Sequence, residues 1–308
     1  MIKIGVFGIS EETITLAGRI KKENGVFLTG TYLPASLPDD PSRQKQRLLN
    51  SDPEEMIMHS DVLLFADPSP DEMVFIRAAI RMSRPLFFMK TFRLPEEALK
   101  EIHDLAMEGD VHIHCYNPLR DHLLFSAAAA AAGRPLFTEI LRRWKDVEQP
   151  EEKIIGTLVY SVESALHLNR TRPRRPAVGA FFHPESRTGL AHIQMEFDDG
   201  MTALIRHEVQ DEEASLCTIY GENGKVSADL SHNLLIHKDI PGTPKEKRKK
   251  ISGEVDALDH AWHHFLQSTS SPSPALLEER ITTLRILTYI LEKIRIKAPS
   301  PLPAEKNW

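Results

Sequence analysis

The sequence predicts an α/β protein in which a doubly wound parallel sheet precedes an α+β domain with a large, mostly antiparallel open sheet. Strand-like and helix-like segments alternate through the first third of the 308-residue chain, as in repeated parallel β-α-β units. This alternation stops near Pro118. Longer strand-like segments follow, separated by hairpin signals such as "DDG" and "GENG". We therefore expect a first domain over residues 1–118 and a second over residues 119–308.

The first domain is expected to hold short buried strands and amphipathic helices. Each strand is a run rich in Ile, Val, Leu or Phe, and each helix has apolar residues three or four positions apart. The strands are "IKIGVFGI", "VFLTGTYL", "SDVLLFAD", "PLFFMKT" and "DVHIHCYN", and the helices are "EETITLAGRIKKE", "DEMVFIRAAIRMS" and "PEEALKEIHDLAMEG". In the last of these, a proline followed by two acids is typical of a helix start.

The second domain begins with the Ala-rich helix "RDHLLFSAAAAAAGR", which Gly133 should end. The expected strands are "LFTEILRRW", "PAVGAFFHP", "LAHIQMEFDDGMTALIRHEV", "SLCTIYGENGKVSADL" and "LLIHKDI". A long helix from about Val255 to Ile296, broken at "STSSPSP", should close the domain before a Pro-rich tail.

Composition and charge exclude several classes of protein. The net charge of −6 argues against a general nucleic-acid binder. No apolar run reaches the ~20 residues of a membrane span, and the first residues lack the features of a signal peptide. Cys115 and Cys217 are far apart and belong to no Cys-x-x-Cys pair. We expect a reducing, cytoplasmic location and no disulfide or cysteine-based zinc site.

Two basic runs and one pair of histidines each allow a functional and a structural interpretation. Residues 170–175 and 245–250 are strongly basic, and the second run is expected to be an exposed loop. For both runs we favour solvated surface over a phosphate or polyanion site. His112 and His114 share one face of a strand and could bind a metal. Without a third ligand nearby, a surface or interface position is favoured, and no metal site is predicted.

Lys90 is the first candidate functional residue. The wholly apolar strand that ends at Met89 delivers this lysine at its carboxyl end, where open α/β sheets bind their ligands. A surface lysine at the start of a loop is the alternative. The position after a buried strand favours a site lysine.

The order of the segments resembles the glucose-fructose oxidoreductase / inositol dehydrogenase / MocA family of NAD(P)-dependent enzymes. The resemblance runs through "IKIGVFG", "SDVLLFADPSPDEM", "PLFFMKTFRLPEEA", "DVHIHCYNPLRDH", "AAAGRPLFTEI", "FDDGMTAL" and "IYGENGKVSAD", which covers nearly the whole chain. It implies a Rossmann domain that binds a dinucleotide, then a domain for the substrate and for oligomerisation. It also implies a small substrate such as a sugar, polyol or related hydroxyl or carbonyl compound.

Within the resemblance, Lys90 falls on the lysine of a Glu-Lys-Pro motif, with Met89 and Thr91 in place of Glu and Pro. That lysine reaches the substrate hydroxyl and the nicotinamide ribose in the family, where it stabilises developing negative charge on oxygen. Pro68 fits the family's Thr-Pro turn near the nicotinamide, with Asp67 replacing Thr.

The phosphate-binding turn is degenerate. The family's Gly-x-Gly-x-x-Gly is represented by Gly8, Ile9 and Ser10, followed by Glu11 and Glu12, so one glycine of the three remains. Ser10 could cap the helix and bind a phosphate. The two acids place negative charge where a diphosphate should lie, although acids also favour a helix start.

The second strand ends without the acid that would bind the adenosine ribose, because Leu33 takes its place. Ser36, Arg43 and Lys45 follow and could accept a 2′-phosphate. The expected cofactor is therefore NADP or NAD, with NADP favoured, and loss of the cofactor is the alternative.

The catalytic histidine motif has two possible registers. In the family, a glycine is followed on one helix by an acid, then a histidine four residues later and an aspartate three residues after that. A count without gaps from Gly156 puts Tyr160 at the acid, Ser164 at the histidine and His167 at the aspartate.

A shift of three residues puts Glu163 at the acid, His167 at the histidine and Arg170 at the aspartate. Glu163 and His167 would then share one helix face, which suits an acid that orients a proton donor. A packed, hydrogen-bonded histidine is the alternative reading of His167. Asn117 and Arg120 match the family's turn after the sixth strand, beside the substrate pocket.

The leading hypothesis is an NAD(P)-dependent oxidoreductase in which Lys90, His167 and Glu163 are catalytic, and Asn117, Arg120, Tyr160 and Ser164 contact the substrate. The alternative is a non-catalytic protein that kept the fold for binding or as a scaffold. A homo-oligomer that pairs through the open face of the second sheet is also expected. Nucleic-acid and membrane partners are not.

Overall fold

The computed structural model describes residues 1–8, 11–20, 25–32, 51–91, 93–145, 147–169, 171–183, 188–238, 246–251, 256–268 and 275–297. The chain divides into two compact units. Met1–Tyr116 and Ala261–Ile281 belong to the first, and Asn117–His260 with the helix from Thr282 onward belong to the second. The predicted domain boundary at residue 118 stays a proposal. The prediction did not include Ala261–Ile281 in the first unit.

The first unit contains a five-stranded parallel sheet with the order β2-β1-β3-β4-β5. Its strands are β1 Ile2–Phe7, β2 Val26–Tyr32, β3 Val62–Phe65, β4 Leu86–Phe88 and β5 Ile113–Cys115. The helices between them are α1 Glu11–Ile20, α2 Pro53–His59, α3 Met73–Arg81 and α4 Glu96–Glu108. The strand order reverses between β1 and β3, so the ligand crevice of this fold is expected outside the carboxyl ends of these two strands.

Strand β4 is shorter than its apolar run suggested. Only Leu86, Phe87 and Phe88 pair with both neighbouring strands, and all three are fully buried. The Phe87 ring meets Trp262 and Phe265 edge to face, each at 5.3 Å between ring centroids. Aromatic packing on a helix from the C-terminal part of the chain therefore buries the centre of this sheet.

The second unit contains an eight-stranded sheet with the order β13-β12-β11-β10-β6-β9-β8-β7. Its strands are β6 Pro135–Trp144, β7 Ala177–His183, β8 Thr188–Glu196, β9 Thr202–Val209, β10 Ala214–Gly221, β11 Gly224–Asp229, β12 Leu234–Lys238 and β13 Glu246–Lys250. Neighbouring strands are antiparallel except β6 and β9, which run parallel. The predicted fold class is confirmed.

Helices cover one face of the eight-stranded sheet. The remaining helices are α5 Leu123–Ala132, α6 Pro150–Leu168, α7 Ala257–Ser268 and α8 Ala275–Lys297. Helix α5 packs on β10 to β12, and α6 packs on β6, β8 and β9. Side chains such as Ile140, Ile205 and Val226 are fully buried on this covered face. Alternate residues of the same strands point to the opposite, open face and remain partly exposed.

Two expectations are wrong. The basic run at 245–250 is largely a strand, because Glu246–Lys250 pairs antiparallel with β12. His112 and His114 lie inside the first unit and are only 4% and 6% exposed. His112 stacks on Phe265, and His114 stacks on Phe87. Val111 and Ile113, which alternate with these histidines, are buried too, so both sides of this segment face the core.

Candidate active-site residues

Gly8 forms the turn after β1. Its φ angle is +78°, a left-handed conformation that other residues rarely adopt. A Cβ atom at this position would lie 3.2 Å from the Cβ of Ala66 on the neighbouring strand's turn. Helix α1 begins three residues later, at Glu11. The turn therefore brings a helix N-terminus to the point where the strand order reverses, and the neighbouring Ile9 and Ser10 lie outside the described residues.

The turn after β3 holds Asp67 and Pro68 as the sequence predicted. It is closed by Glu72, whose Oε2 accepts a hydrogen bond of 2.9 Å from the backbone N–H of Ser69. Glu72 is buried, and burial raises the pKa of its carboxyl, with a further increase from the charge of Asp67. Sequence reasoning missed Glu72, although Ser-x-x-Glu before an apolar run is a known helix-start signal.

Lys90 and Thr91 follow β4 at the same edge of the sheet. The backbone N–H of Met89 donates to the carbonyl of Phe65 on β3, which holds the end of β4 in place. Lys90 is partly exposed, whereas Thr91 is 1% exposed. The Thr91 hydroxyl has no hydrogen-bond partner within the described part of the chain. A buried hydroxyl of this kind is costly unless a water molecule, a ligand or another group satisfies it, which makes Thr91 a candidate ligand contact.

These features fit a dinucleotide in part. The Gly8 turn and the start of α1 suit a diphosphate, and the Thr91 hydroxyl beside Lys90 suits a hydroxyl or amide group of the nicotinamide half. The expectation from the sequence that the acids at positions 11 and 12 oppose a diphosphate stays a prediction. Leu33, Ser36 and Arg43, on which the choice between NAD and NADP depends, lie outside the described residues.

In the second unit, four of the predicted site residues come together. The side-chain N–H groups of Asn117 donate to the backbone carbonyl of Tyr160 at 3.0 Å and to the Glu163 carboxylate at 2.9 Å. The Asn117 side-chain oxygen accepts from the backbone N–H groups of Leu119 and Arg120. The amide of Asn117 thus joins the turn after β5 to the middle of helix α6.

Arg120 completes this buried polar cluster. Its guanidinium pairs with both oxygens of Asp121, at 3.0 and 3.3 Å, and with Glu163 at 3.4 Å. Arg120 is 4% exposed, and Glu163 and Asn117 are fully buried. One cation therefore faces two carboxylates. Because these polar atoms bind one another, the cluster fixes the 117–121 turn against α6, a positioning role that the sequence could not separate from substrate contact.

Ser164 and His167 follow on the same helix. Ser164 is fully buried, and its hydroxyl finds no hydrogen-bond partner among the residues that the structure describes. His167 is exposed and lies in the last turn of α6, one helical turn after Glu163. Their spacing of four residues places Glu163 and His167 on the same side of α6. Glu163 is nevertheless fully buried, whereas His167 is exposed. Arg170, which the shifted register required, lies outside the described residues.

His207 on β9 is a buried histidine that the sequence reasoning did not consider. Its Nε2 lies 2.8 Å from the Ser161 hydroxyl, and its Nδ1 lies 3.3 Å from the carbonyl oxygen of Ile154. Burial, and repulsion from Arg142, lower the pKa of this imidazole to about 3. The ring is therefore neutral and ties α6 to the sheet. In the sequence, His207 alternates with the apolar residues Ile205 and Val209, and this pattern indicates that it faces the core.

Comparison with known proteins finds solved structures of similar fold but no match in sequence. No family model matches the chain, and no curated protein matches it in sequence. A UDP-N-acetylglucosamine 3-dehydrogenase from Acidithiobacillus ferrooxidans is 16% identical, with a TM-score of 0.77 over 96% of this chain and 97% of that one. A dehydrogenase from Chromobacterium violaceum is 14% identical, with a TM-score of 0.75 over 95% of each chain.

A biliverdin reductase from Synechocystis sp. PCC 6803, solved in complex with biliverdin and NADP+, is 13% identical, with a TM-score of 0.65 over 94% of this chain and 98% of that one. At these identities the similarity concerns the fold. The chain has the fold of these oxidoreductases over nearly its whole length, and the resemblance predicted from the sequence is confirmed at that level.

Proposed function

We propose that the protein is an NAD(P)-dependent oxidoreductase that acts on a hydroxyl or carbonyl group of a sugar, polyol or related small molecule. The observation that carries the proposal is the pair of Lys90 and Thr91 after β4. A cation and a buried hydroxyl whose hydrogen bond is left unmade within the described chain lie at the ligand edge of a parallel sheet. The solved proteins of similar fold are dehydrogenases and a reductase, which supports the same class.

The cofactor would be held by the first unit. Gly8 and the start of α1 would bind the diphosphate, together with Ile9 and Ser10. Asp67, Pro68 and Lys90 would lie beside the nicotinamide half, and Ser36 and Arg43 would contact the adenosine half. When bound, the nicotinamide would accept or donate the hydride.

The remaining roles belong to the chain's own side chains. The ammonium group of Lys90 would stabilise negative charge on the reacting oxygen, because a fixed cation favours the alkoxide-like transition state over the neutral ground state. His167, which lies in the second unit and is exposed to solvent, is kept as the proposed proton-exchanging residue. Glu163 would act as a positioning residue, since it is fully buried and bound to Asn117 and Arg120. The Ser164 hydroxyl and Tyr160 would contact the substrate.

The alternative, a non-catalytic binding or scaffold protein, has less support because the proteins of similar fold named above are described as dehydrogenases or a reductase. The two hypotheses differ in cofactor binding. Titration of the full-length protein with NADPH and NADH, followed by nicotinamide fluorescence or calorimetry, should show saturable binding, with NADPH the tighter. Absence of binding at millimolar cofactor would contradict the enzyme and support the scaffold.

A substrate screen completes this test. The purified protein with NADP+ or NAD+ should reduce the cofactor in the presence of sugars, sugar nucleotides or polyols, as followed by absorbance of the reduced nicotinamide. Ser164→Ala is the variant that tests the proposed substrate contact most directly. It should leave the free energy of unfolding nearly unchanged, because it removes a hydroxyl with no described partner, and should raise the KM.

We further propose a homo-oligomer that pairs through the open face of the eight-stranded sheet. Phe181 on β7 and Leu190 on β8 lie opposite each other in register and are 55% and 38% exposed. Neighbouring exposed apolar side chains are more typical of an interface than of solvated surface. We also keep a cytoplasmic location as a prediction, in line with Cys115 and Cys217, which are both buried free thiols. Among the described residues, none of the helices combines the length and apolar character needed to cross a membrane.

A further inference from the structure

The sulfur-bearing side chains of this protein fall into a buried and an exposed group. All nine methionines and both cysteines lie within the described residues. Both cysteines are buried, and five methionines are at most 5% exposed: Met56, Met73, Met89, Met195 and Met201. The other four methionines are 40–87% exposed: Met1, Met58, Met82 and Met107. Single exposed apolar side chains are common, so the position of this group decides whether it has a meaning.

The exposed methionines all lie at one edge of the five-stranded sheet. Met58 and Met107 are in the last turns of α2 and α4, and Met82 directly follows α3. These three helices lead into β3, β5 and β4, and Met1 directly precedes β1. Because the strands are parallel, their amino ends meet at the same edge, which we call the methionine edge. It is opposite the carboxyl edge that carries Lys90.

Two contacts hold the ends of the three helices side by side. A guanidinium N–H of Arg84, in the turn after α3, donates to the carbonyl oxygen of Met58 at 2.9 Å. At the end of α4, a Cβ on Gly109 would lie 3.6 Å from the Cγ2 of Ile80 in α3. The helices also pack on one another in the order α2, α3, α4. The thioethers at the ends of these helices therefore belong to neighbouring parts of one surface.

A thioether reacts with a peroxide when the peroxide can reach the sulfur atom. Hydrogen peroxide transfers an oxygen atom to the sulfur, so that its O–O bond breaks and an S–O bond forms. The sulfur is oxidised by two electrons to a sulfoxide, and the peroxide is reduced to water. The atoms balance without any other reactant. Exposure of the sulfur therefore decides which methionines are modified.

The cysteines do not compete for the oxidant. A thiol reacts as its thiolate, and it must be accessible. Cys217 is fully buried, and burial raises the pKa of its thiol to about 12, so it is protonated at neutral pH. Cys115 is 1% exposed. The exposed sulfur atoms of this protein are therefore thioethers, and all of them lie at the methionine edge.

We propose that the methionine edge is a site of selective oxidation by peroxides, where exposed thioethers consume the oxidant before it reaches the buried ones. Sulfoxide formation makes the side chain polar, which disrupts a core but costs little where the side chain already contacts water. Met89, for example, is 1% exposed at the end of β4, so a sulfoxide there would have to fit into the core. The proposal does not depend on the oxidoreductase function.

The test follows each methionine separately. Hydrogen peroxide would be added to the full-length protein at one equivalent per exposed methionine, and peptide mass spectrometry would follow oxidation with time. We expect Met58, Met82 and Met107 to be oxidised at least about tenfold faster than Met89 and Met195. The Tm of the oxidised protein should fall by no more than about 4 °C, because the modified side chains lie outside the core.

Two substitutions on helix α2 form a matched pair. Met58→Leu removes a thioether that is 50% exposed, and Met56→Leu removes one that is 3% exposed on the same helix. Leucine has nearly the volume of methionine, so both variants should fold. Met58→Leu should reduce the amount of peroxide consumed in the fast phase, and Met56→Leu should leave it unchanged.

A combined variant tests the protection of the core. Met58→Leu, Met82→Leu and Met107→Leu together remove three exposed thioethers, and circular dichroism would check that the fold is kept. At the same dose of peroxide, Met89 should be oxidised to a greater extent in this variant than in the wild type.

Four results would overturn the proposal. Equal rates at exposed and buried methionines would show that exposure does not control the reaction. Resistance of Met58, Met82 and Met107 to peroxide in the folded protein, when they react in denaturant, would show that their sulfur atoms are covered. Unchanged oxidation of Met89 in the combined variant would contradict the protection. Unfolding after oxidation of the exposed methionines alone would show that these thioethers are needed for the fold.

Discussion

At the residue scale, the position of Lys90 defines the most direct test of chemistry. Lys90→Met removes the charge and keeps a similar length at a partly exposed position, so it should cost little stability. If the protein turns over a substrate, the rate should fall by about 10²–10³, because a fixed charge aimed at the developing alkoxide is lost. Steady-state kinetics would measure this. Lys100→Met, which removes an exposed lysine of α4, is the control. A Lys90→Met rate within a few-fold of wild type would show that Lys90 is ordinary surface charge.

His207 predicts a pH dependence of stability. Its pKa is about 3 in the folded protein, against 6.5 for an unperturbed histidine. The unfolded chain therefore binds more protons than the folded one between these values. The stabilisation is complete above about pH 6.5 and is lost as the pH falls, by up to about 1.4 kcal/mol per pH unit.

His207→Gln should flatten this dependence, because glutamine can keep hydrogen bonds to Ser161 and Ile154 but does not titrate. Denaturant unfolding at several pH values between 7 and about 5 would measure the slope. His264→Gln, which removes an exposed imidazole of α7, is the matched control. An unchanged slope in His207→Gln would mean that other groups set the acid sensitivity of the protein.

At the element scale, the turn before α1 and the last turn of α1 give opposite predictions for a glycine-to-alanine substitution. Gly8→Ala should destabilise the protein by about 1–2 kcal/mol, because Gly8 has φ +78° and a Cβ would meet Ala66 at 3.2 Å. Gly18→Ala should stabilise it by up to about 1 kcal/mol, since Gly18 is helical and nothing lies within 4 Å of its Cβ position. Chemical denaturation would compare the two variants. Equal effects would contradict the conformation of the turn.

The elements also show how much of the secondary structure could be predicted from the sequence. Periodicity and turn signals predicted the strands of both sheets apart from β13, because burial on one or both faces leaves a regular pattern. Helix α2 was missed, although Asp52 accepts hydrogen bonds from the backbone N–H groups of Glu54 and Glu55 and Pro53 follows it, which is a recognisable helix start. The strand β13 was predicted as a loop because it lies between "IPGTP" and "ISGE". Its run of charged residues has no apolar alternation that would mark a strand.

The candidate site was predictable only in part. Lys90, Gly8 and Pro68 follow strands directly, so their place at the carboxyl edge of the sheet follows from the β-α order. Asn117 and Glu163 are 46 residues apart, and nothing in either local pattern shows that one binds the other. The sequence could therefore nominate them as site residues but could not show that they hold the turn after β5 to α6.

At the scale of the whole molecule, the open sheet face predicts self-association. Phe181→Ser should weaken the proposed oligomer, because Phe181 is 55% exposed and lies beside Leu190 on this face. Phe27→Ser is the matched control, since Phe27 is 54% exposed but lies on β2 of the first unit. Sedimentation or light scattering over a range of concentrations would give the mass. A monomer at every concentration would contradict the proposal.

The one parallel contact in the eight-stranded sheet has a consequence for the order of folding. Strand β6 separates β9 from β10, although these two strands follow each other in the chain. The strands β7 to β9 and β10 to β13 can each form from neighbouring segments, whereas β6 must join them across sequence separations of about 65 residues, as in the pairs of Arg143 with Glu208 and of Glu139 with Arg206. Contacts of this range close long loops and form late. Thr138→Val, inside β6, should therefore alter the unfolding rate of the second unit far more than its folding rate, as measured by stopped-flow mixing.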